Sequence, residues 1–100
     1  MKTTLHVHIR IGSAILSFIK TITCHIELRH GMDISLSING WNDDNSEVEL
    51  AWLELDGDQM SQGVVLKSIY VTHDDDNTPE TVINDFVESG WTLNRGGKQD

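Results

Sequence analysis

The chain has few residues of the types that organise several common kinds of protein. Among its 100 residues are one cysteine, one proline and seven bases. The single Cys24 excludes an internal disulfide, and a lone cysteine in an alternating run is typical of a small buried apolar residue. Because lysine and arginine neutralise phosphates, the shortage of bases argues against direct binding to nucleic acid or to an anionic membrane.

Long apolar runs are also missing from the chain. The most apolar stretch, residues 11–19, has nine residues, which is too short to span a bilayer. No small-x-small cleavage site follows the charged residues 1–10, so a secretory leader is a poor interpretation. Together with the lone cysteine, these features predict a cytoplasmic protein that does not contact a membrane.

Catalytic signatures are equally scarce. No serine lies in a Gly-x-Ser-x-Gly elbow, and the chain has neither a phosphate-binding loop nor a dinucleotide fingerprint. Cys24 is predicted to face the core, away from His25, so no cysteine–histidine pair is expected. We therefore predict that the protein is not an enzyme and uses no cofactor.

Acidic residues are abundant, and they are unevenly distributed. Fourteen of the sixteen acids lie between Asp33 and Glu88, where Lys67 is the one base, so residues 33–91 carry a net charge of −13. Residues 1–32 carry +3 and residues 92–100 carry +1, which gives −9 for the chain. Many small proteins are acidic simply to remain soluble, but solubility requires no such partition. The segregation indicates a partner with a basic surface, bound at a salt-sensitive rate.

Alternating apolar and polar residues predict strands in the first seventy residues. The segments with this period, or with many β-branched residues, are 5–11, 22–28, 32–38, 48–52 and 64–71. Residues 13–20 fit a short helix nearly as well as a strand, and strand is preferred because both flanking patterns have period two. Residues 56–63 are predicted to form a polar loop before the fifth strand.

The positions of apolar residues also constrain how the strands pair. A three-residue loop keeps the apolar residues of strands 22–28 and 32–38 opposite each other. A five-residue loop does the same for strands 32–38 and 48–52, and it sets Ile34 opposite Trp52. These strands are therefore predicted to form an antiparallel meander, with Trp52 in the core.

The pattern changes to a helical period near the end of the chain. Thr78, Pro79 and Glu80 are typical of a helix start, and Gly90 is typical of a helix end. One arc of this helix is apolar, and it consists of Val82, Ile83, Phe86 and Val87. The predicted fold is α+β: an antiparallel β-meander of about five strands with one C-terminal amphipathic helix packed on one face. Residues 1–93 are predicted to form one compact domain, and residues 94–100 are predicted to form a flexible tail.

The candidate partner-binding residues are one tryptophan and the acids of three loops and one strand. They are Trp41, Asp43, Asp44, Glu47, Glu49, Asp56, Asp58, Asp74, Asp75 and Asp76. A tryptophan beside acids has the composition of a binding hot spot, although loop tryptophans often pack on their own domain. Carboxylates arranged as a band could replace phosphates in a cationic groove, whereas aspartates in loops also serve simply to form turns.

A pair of histidines offers a different interpretation. His6 and His8 lie on one face of a predicted strand, about 7 Å apart, which is a spacing used by metal sites. No second short-spaced ligand pair accompanies them, so polar positions on a solvent face explain them more simply. A metal-binding protein or small metalloenzyme remains an alternative.

These observations predict a small acidic inhibitor that occupies the basic surface of a nucleic-acid-binding protein. Phage- or plasmid-encoded inhibitors of host defence, anti-CRISPR proteins among them, and immunity proteins share this size and charge. The analogy concerns size and charge alone, and no residue motif supports it. The other alternative is self-association, because the +3 segment of one copy could meet the acidic region of another in a homodimer.

Overall fold

The computed structural model describes residues 1–42 and 44–94. Most of the described chain is sheet, and a single helix lies near its end. In chain order the elements are β1 (Lys2–Ile11), β2 (Ala14–Thr23), β3 (Asp33–Ser35), β4 (Asn45–Asp56), β5 (Gln59–Leu66), β6 (Ile69–Val71), α1 (Pro79–Glu88) and β7 (Thr92–Leu93).

The strands form one mixed sheet in the order β3-β4-β5-β1-β2-β7, and β6 also pairs with β1. β1 is central: it is antiparallel to β2 and parallel to both β5 and β6. The α+β class with one helix is therefore confirmed. The purely antiparallel meander is wrong, because β5 returns alongside β1 in the parallel direction.

β2, the second strand of the first hairpin, contains residues that were predicted to belong to two separate strands, 13–20 and 22–28. Gly12, with a φ of 58°, and Ser13 form a two-residue turn that sets Ile11 opposite Ala14. Strand rather than helix is thus confirmed for residues 13–20. β2 continues far enough to set Ile22 opposite Thr3, so Ile22 does not begin a meander strand as predicted.

A buried amide explains why residues 24–32 do not form a strand. The Leu28 N–H donates to Gln62 Oε1 over 2.8 Å. Gln62 Nε2 donates to the Ile26 carbonyl and to Thr3 Oγ1, each over 2.9 Å. Because Gln62 is 2% exposed, these bonds replace the water that a buried amide would otherwise need. They hold the segment against the sheet as a loop.

The predicted pairing of the third and fourth strands is also wrong. β3 is only three residues long, and Ile34 lies opposite Ser46 rather than Trp52. Both registers keep the same side chains on the same face, since they differ by an even number of residues. Side-chain alternation excludes a register shifted by an odd number of residues, and it does not distinguish registers that differ by an even number.

A β-bulge in β4 changes which side chains reach the core. Val48 lies opposite Leu66 and Leu50 lies opposite Val65, so Glu49 is an extra residue in β4. The extra residue reverses the alternation beyond it. Val48 is fully buried, whereas Leu50 and Trp52 lie on the opposite face, which the helix does not cover. The prediction of Trp52 as a core residue is therefore wrong.

The second hairpin is tighter than the sequence indicated. Asp56 lies opposite Gln59, and Gly57, with a φ of 62°, occupies the first turn position. A glycine in that position is typical of a two-residue hairpin turn. Residues 59–63, predicted as a polar loop, therefore belong to β5. The predicted fifth strand at 64–71 is divided between β5 and β6.

The helix prediction is confirmed for its position and its cap, whereas Val87, predicted to lie on the apolar face, is exposed because it faces away from the sheet. Thr78 is the N-cap, and its hydroxyl accepts the Thr81 N–H while the Thr81 hydroxyl accepts the Thr78 N–H. α1 places Phe86 on the apolar face of the sheet, where its ring stacks on Phe18 with centroids 4.3 Å apart. Gly90, with a φ of 93°, ends the helix as predicted.

The chain after the helix returns to the sheet. Trp91 is buried and packs on Phe86, while β7 pairs with β2. Asn94, which the sequence analysis places at the start of the tail, donates its backbone N–H to the Ser17 carbonyl over 2.7 Å. The rest of that predicted tail, residues 95–100, lies outside the described residues.

α1 is ten residues long, and it is the one helix among the described residues. In that part of the protein no helix has both the length and the apolar character needed to cross a membrane.

The aromatic cluster around Phe86 provides a stability test. Phe86→Ala removes a fully buried ring that contacts Phe18, Trp41 and Trp91, so we expect the free energy of unfolding to fall by about 3–5 kcal/mol. Urea unfolding measures this loss. The neighbouring Val87→Ala is the control, because Val87 is exposed and its truncation should cost about 0.5 kcal/mol or less. Equal losses in the two variants would contradict the packing.

Candidate protein-binding surface

The hairpin of β4 and β5 extends beyond the central strand. Lys2, at the start of β1, lies opposite Ser61 of β5, and Ser61 lies opposite Glu54 of β4. Residues 55–60 therefore lie past the last pair of β1 with β5, as a two-stranded projection. We refer to residues 50–60 as the β4–β5 arm.

The arm exposes much of the apolar surface of the protein. Ten large apolar side chains are exposed in the described chain, and five of them lie on the arm. They are Leu50, Trp52, Leu53, Leu55 and Met60. Leu55 is 72% exposed, which is a large fraction for a leucine in a strand. Apolar side chains that cluster in this way mark sites of interaction with other proteins.

The bulge at Glu49 gives the arm apolar side chains on both faces. Leu50 and Trp52 lie on the face that the helix leaves uncovered, with Val65 and His6. Leu53 and Leu55 lie on the face of the core: Leu53 is opposite the buried Gln62, and Leu55 is past the last pair of β1 with β5. A two-stranded hairpin in water is marginally stable by itself, so the attached sheet must hold the arm.

Trp52 has a defined position on this surface. Its ring lies against Gly63, where an added Cβ would overlap it, and it stacks on His6 with centroids 6.3 Å apart. Its indole N–H donates to Glu54 Oε1 over 2.9 Å. Glycine in a strand often marks such a close approach. The ring is thereby fixed while 37% of the residue stays exposed.

Carboxylates surround the apolar side chains of the arm. Glu49 precedes it, Glu54 and Asp56 lie on one face of β4, and Asp58 lies in the turn. Within the described chain, none of these four carboxylates forms an ion pair. Met1, with its amino group, and Lys2 line a shallow depression together with Glu54 and Asp56. The arm thus combines an apolar centre with a negative rim.

Glu47, a predicted binding residue, is partly neutralised within the protein. Its carboxylate lies 2.8 Å from Lys67 Nζ. The hydrogen bond and the charge of Lys67 lower the pKa of Glu47, and the same contact raises the pKa of Lys67. Glu47 is therefore less available to a partner than its neighbour Glu49.

Several other predicted residues have structural contacts. Asp44 accepts hydrogen bonds from Ser35 Oγ and from the Ile38 N–H. Trp41 is half-buried: it packs edge-on against Phe86, and its indole N–H donates to Asp85 over 3.0 Å. Trp41 therefore joins a loop to α1 rather than standing free in solvent.

The acidic turn at 74–76 is not brought together with the arm, whereas residues 40–42, which precede the 43–44 loop, share a depression with Thr72 and Asn77. Asp74 forms a turn, accepting the N–H groups of Asp76 and Asn77 over 2.9 and 2.8 Å, and Asp75 and Asp76 are exposed beside it. This turn follows β6 at the far end of β1, about 30 Å from Asp56 and Asp58 by strand rise. The remaining predicted residue, Asp43, lies outside the described residues.

The two histidines do lie on one face of β1, as predicted. His6 stacks on Trp52, and His8 Nδ1 shares a hydrogen bond of 2.7 Å with Ser17 Oγ. The residues that the structure describes include no group of three His, Cys, Asp or Glu side chains able to hold a metal ion.

The sequence interpretation missed the apolar residues of the arm. The sequence pattern does not reveal the bulge, because apolar and other residues alternate from Val48 to Trp52 as they would in a regular strand. A signal was nevertheless present, since Leu50, Ala51, Trp52 and Leu53 are consecutive apolar residues in a strand. Such a run is apolar on both faces, and a strand of this kind needs cover on each side.

Comparison with known proteins adds no relative to this description: no family model, no curated protein and no solved structure matches the chain.

The ion pair of Glu47 with Lys67 predicts a pH response. Because the pKa of Glu47 is lowered, its contribution to stability is present above the usual carboxyl pKa and is lost as the pH falls through the lowered value. The raised pKa of Lys67 gives a contribution that is present below the usual lysine pKa and is lost as the pH rises through the raised value. Carboxyl NMR titration should show the Glu47 midpoint moving upward in Lys67→Met and staying low in Lys67→Arg. An unchanged midpoint in Lys67→Met would contradict the pair.

Gly63 provides a test of the Trp52 position. Gly63→Ala adds a Cβ where the indole ring lies, so we expect Trp52 to be displaced and the protein to lose about 1–3 kcal/mol. Urea unfolding and the indole N–H resonance of Trp52 report these changes. In a Trp52→Leu background the same substitution should cost much less. An equal cost in both backgrounds would show that the ring does not occupy this position.

Proposed function

We propose that this chain is a non-enzymatic inhibitor that occupies a basic, nucleic-acid-binding surface of a partner protein. The observation that carries the proposal is the β4–β5 arm, where exposed apolar side chains lie within a rim of carboxylates. Protein interfaces have this composition, with an apolar centre and a polar periphery. The lone Cys24, which forms no disulfide, supports a cytoplasmic location.

The charges support a basic partner. Glu54 and Asp56 occupy alternate positions of β4, about 7 Å apart on one face. Carboxylates in such a row can take the place of backbone phosphates in a cationic groove, and their field attracts the partner before contact. The arm supplies this charge at Glu54, Asp56 and Asp58, and Glu49 lies directly before it. The more distant turn at Asp74 is too far away to belong to the same contact.

The apolar side chains support a specific contact rather than a purely electrostatic one. Aromatic residues that are held rigidly supply much of the binding energy at interfaces. Trp52 is such a residue, because Gly63, His6 and Glu54 fix its ring. Binding should therefore depend on salt for its rate and on Trp52 for its lifetime.

Charge reversal at two places distinguishes a specific arm from general acidity. One variant carries Glu54→Lys, Asp56→Lys and Asp58→Lys, and the matched control carries Asp75→Lys, Asp76→Lys and Glu88→Lys. The two variants change the net charge equally. We expect immobilised wild type and control to capture a nucleic-acid-binding protein from host lysate at low salt, and the arm variant to lose it.

Two further conditions make the experiment decisive. Added DNA or RNA should release the captured protein, because it competes for the same basic surface, and high salt should weaken capture. Equal capture by the arm variant and the wild type would overturn the proposal, as would capture that nucleic acid does not affect. If the immobilised chain captures only further copies of itself, a homodimer is favoured instead.

A further inference from the structure

The outer edge of β4 has no strand partner along the arm. β3 pairs only with Asn45, Ser46 and Glu47, and Val48 then exchanges hydrogen bonds with the loop at Gly31 and Met32. From Glu49 to Asp56, no strand of the described chain lies beside this edge. An open edge presents backbone N–H and C=O groups to any extended chain that approaches it.

The register identifies which residues present those groups. The two-residue turn makes Asp56 and Gln59 the closing hydrogen-bonded pair, so alternate residues back along β4 direct their backbone groups outward. These residues are Ala51, Leu53 and Leu55. Residues 50–56 contain neither lysine nor proline, which commonly protect an edge, while the carboxylates of Glu54 and Asp56 disfavour pairing with another acidic strand.

A groove runs along part of this edge. It has a volume of about 450 Å³, and it is lined on one side by residues 49–53 and on the other by residues 27–30. The Leu28 N–H in the far wall donates to Gln62 Oε1, which holds this wall against the sheet. An added strand would lie about 4.8 Å from β4, on the side of this groove.

We propose that an extended segment of the partner protein, with apolar side chains alternating with basic ones, binds as an additional strand on the outer edge of β4. This proposal rests on the proposed function, and it specifies how the partner is held. Main-chain hydrogen bonds to Ala51, Leu53 and Leu55 supply affinity, and the alternating side chains supply specificity.

The alternation follows from the two faces of β4. On one face an added strand meets Leu53 and Leu55, which favour apolar neighbours. On the other face it meets Glu54 and Asp56, which favour lysine or arginine directly across the pair.

A second copy of the chain fits this edge less well. Two β4 edges would bring the same carboxylates together from both chains, each of which carries a net charge of −9. Arg29 in the groove wall lies 3.9 Å from Glu27, so its positive charge is already paired and offsets little of the repulsion between the carboxylates. A basic segment avoids this repulsion, which is why we assign the edge to a partner.

The first test uses a blocked ten-residue peptide of alternating lysine and valine as the probe, and an alternating glutamate–valine peptide as its control. Hydrogen exchange by NMR reads each amide of the intact chain. We expect the lysine peptide to protect the Ala51, Leu53 and Leu55 amides. Trp52 and Glu54 amides, which face β5, should already be protected without it. The glutamate peptide should protect none of the three.

The second test removes one outward donor. Leu53→Pro deletes the N–H that an added strand would use, and proline is tolerated on the solvent side of an edge strand. Leu53→Thr is the matched control, because it removes the same side chain but keeps the N–H. We expect Leu53→Pro to bind the lysine peptide roughly tenfold more weakly than Leu53→Thr. Circular dichroism confirms that both variants are folded.

Several results would overturn the proposal. The first is equal peptide affinity in the proline and threonine variants, and the second is protection of amides near the acids at 75–76 instead of those of β4. The third is no binding at millimolar peptide. The fourth is a dimer, detected by light scattering, that Leu53→Pro abolishes. Failure here is separable from failure of the proposed function. If Leu53→Pro still captures the nucleic-acid-binding protein while the charge-reversed arm does not, the partner binds the arm without adding a strand.

Discussion

The β-bulge at Glu49 is the constraint on which the functional surface depends. Before it, Val48 lies in the core and helps β4 to pack on the rest of the sheet. Beyond it, the alternation is reversed, so Leu50 and Trp52 lie on the uncovered face while Leu53 and Leu55 lie on the face of the core, Leu55 past the last pair of β1 with β5. One inserted residue thus gives β4 a buried half and a half that is apolar on both faces. A strand of the second kind requires a partner to cover it.

The mixed sheet supplies the rigidity that this surface needs. β1 is paired along both of its edges, and its inward side chains, such as Val7 and Ile9, are fully buried. Parallel pairing with β5 anchors one strand of the arm to this central element. The buried Gln62 then joins the arm to the loop beside it through three hydrogen bonds. The groove and the arm are therefore parts of one connected sheet.

Acidic side chains in this protein have two different roles. Asp44, Asp74 and Asp85 accept hydrogen bonds from backbone or side-chain groups, and Glu47 pairs with Lys67. These contacts stabilise loops, the helix and the start of β4. Within the described chain the carboxylates at 54, 56 and 58 make no ion pair, and Glu54 accepts the Trp52 indole N–H. Net charge alone does not distinguish the two roles, because it carries no information about which carboxylates have contacts in the fold.

The sequence by itself determined the α+β class, the strand at 13–20 and the helix with its cap at Thr78 and its end at Gly90. Those features depend on local periodicity and on residues with strong local preferences, so neighbouring positions suffice. Tertiary structure decided the pairing of β1 with β5, the bulge at Glu49 and hence the exposure of Trp52. Alternation excludes only odd slips of register, and it does not choose among partners that satisfy it equally. The choice was made by contacts distant in the chain, and the binding surface proposed here is a consequence of that choice.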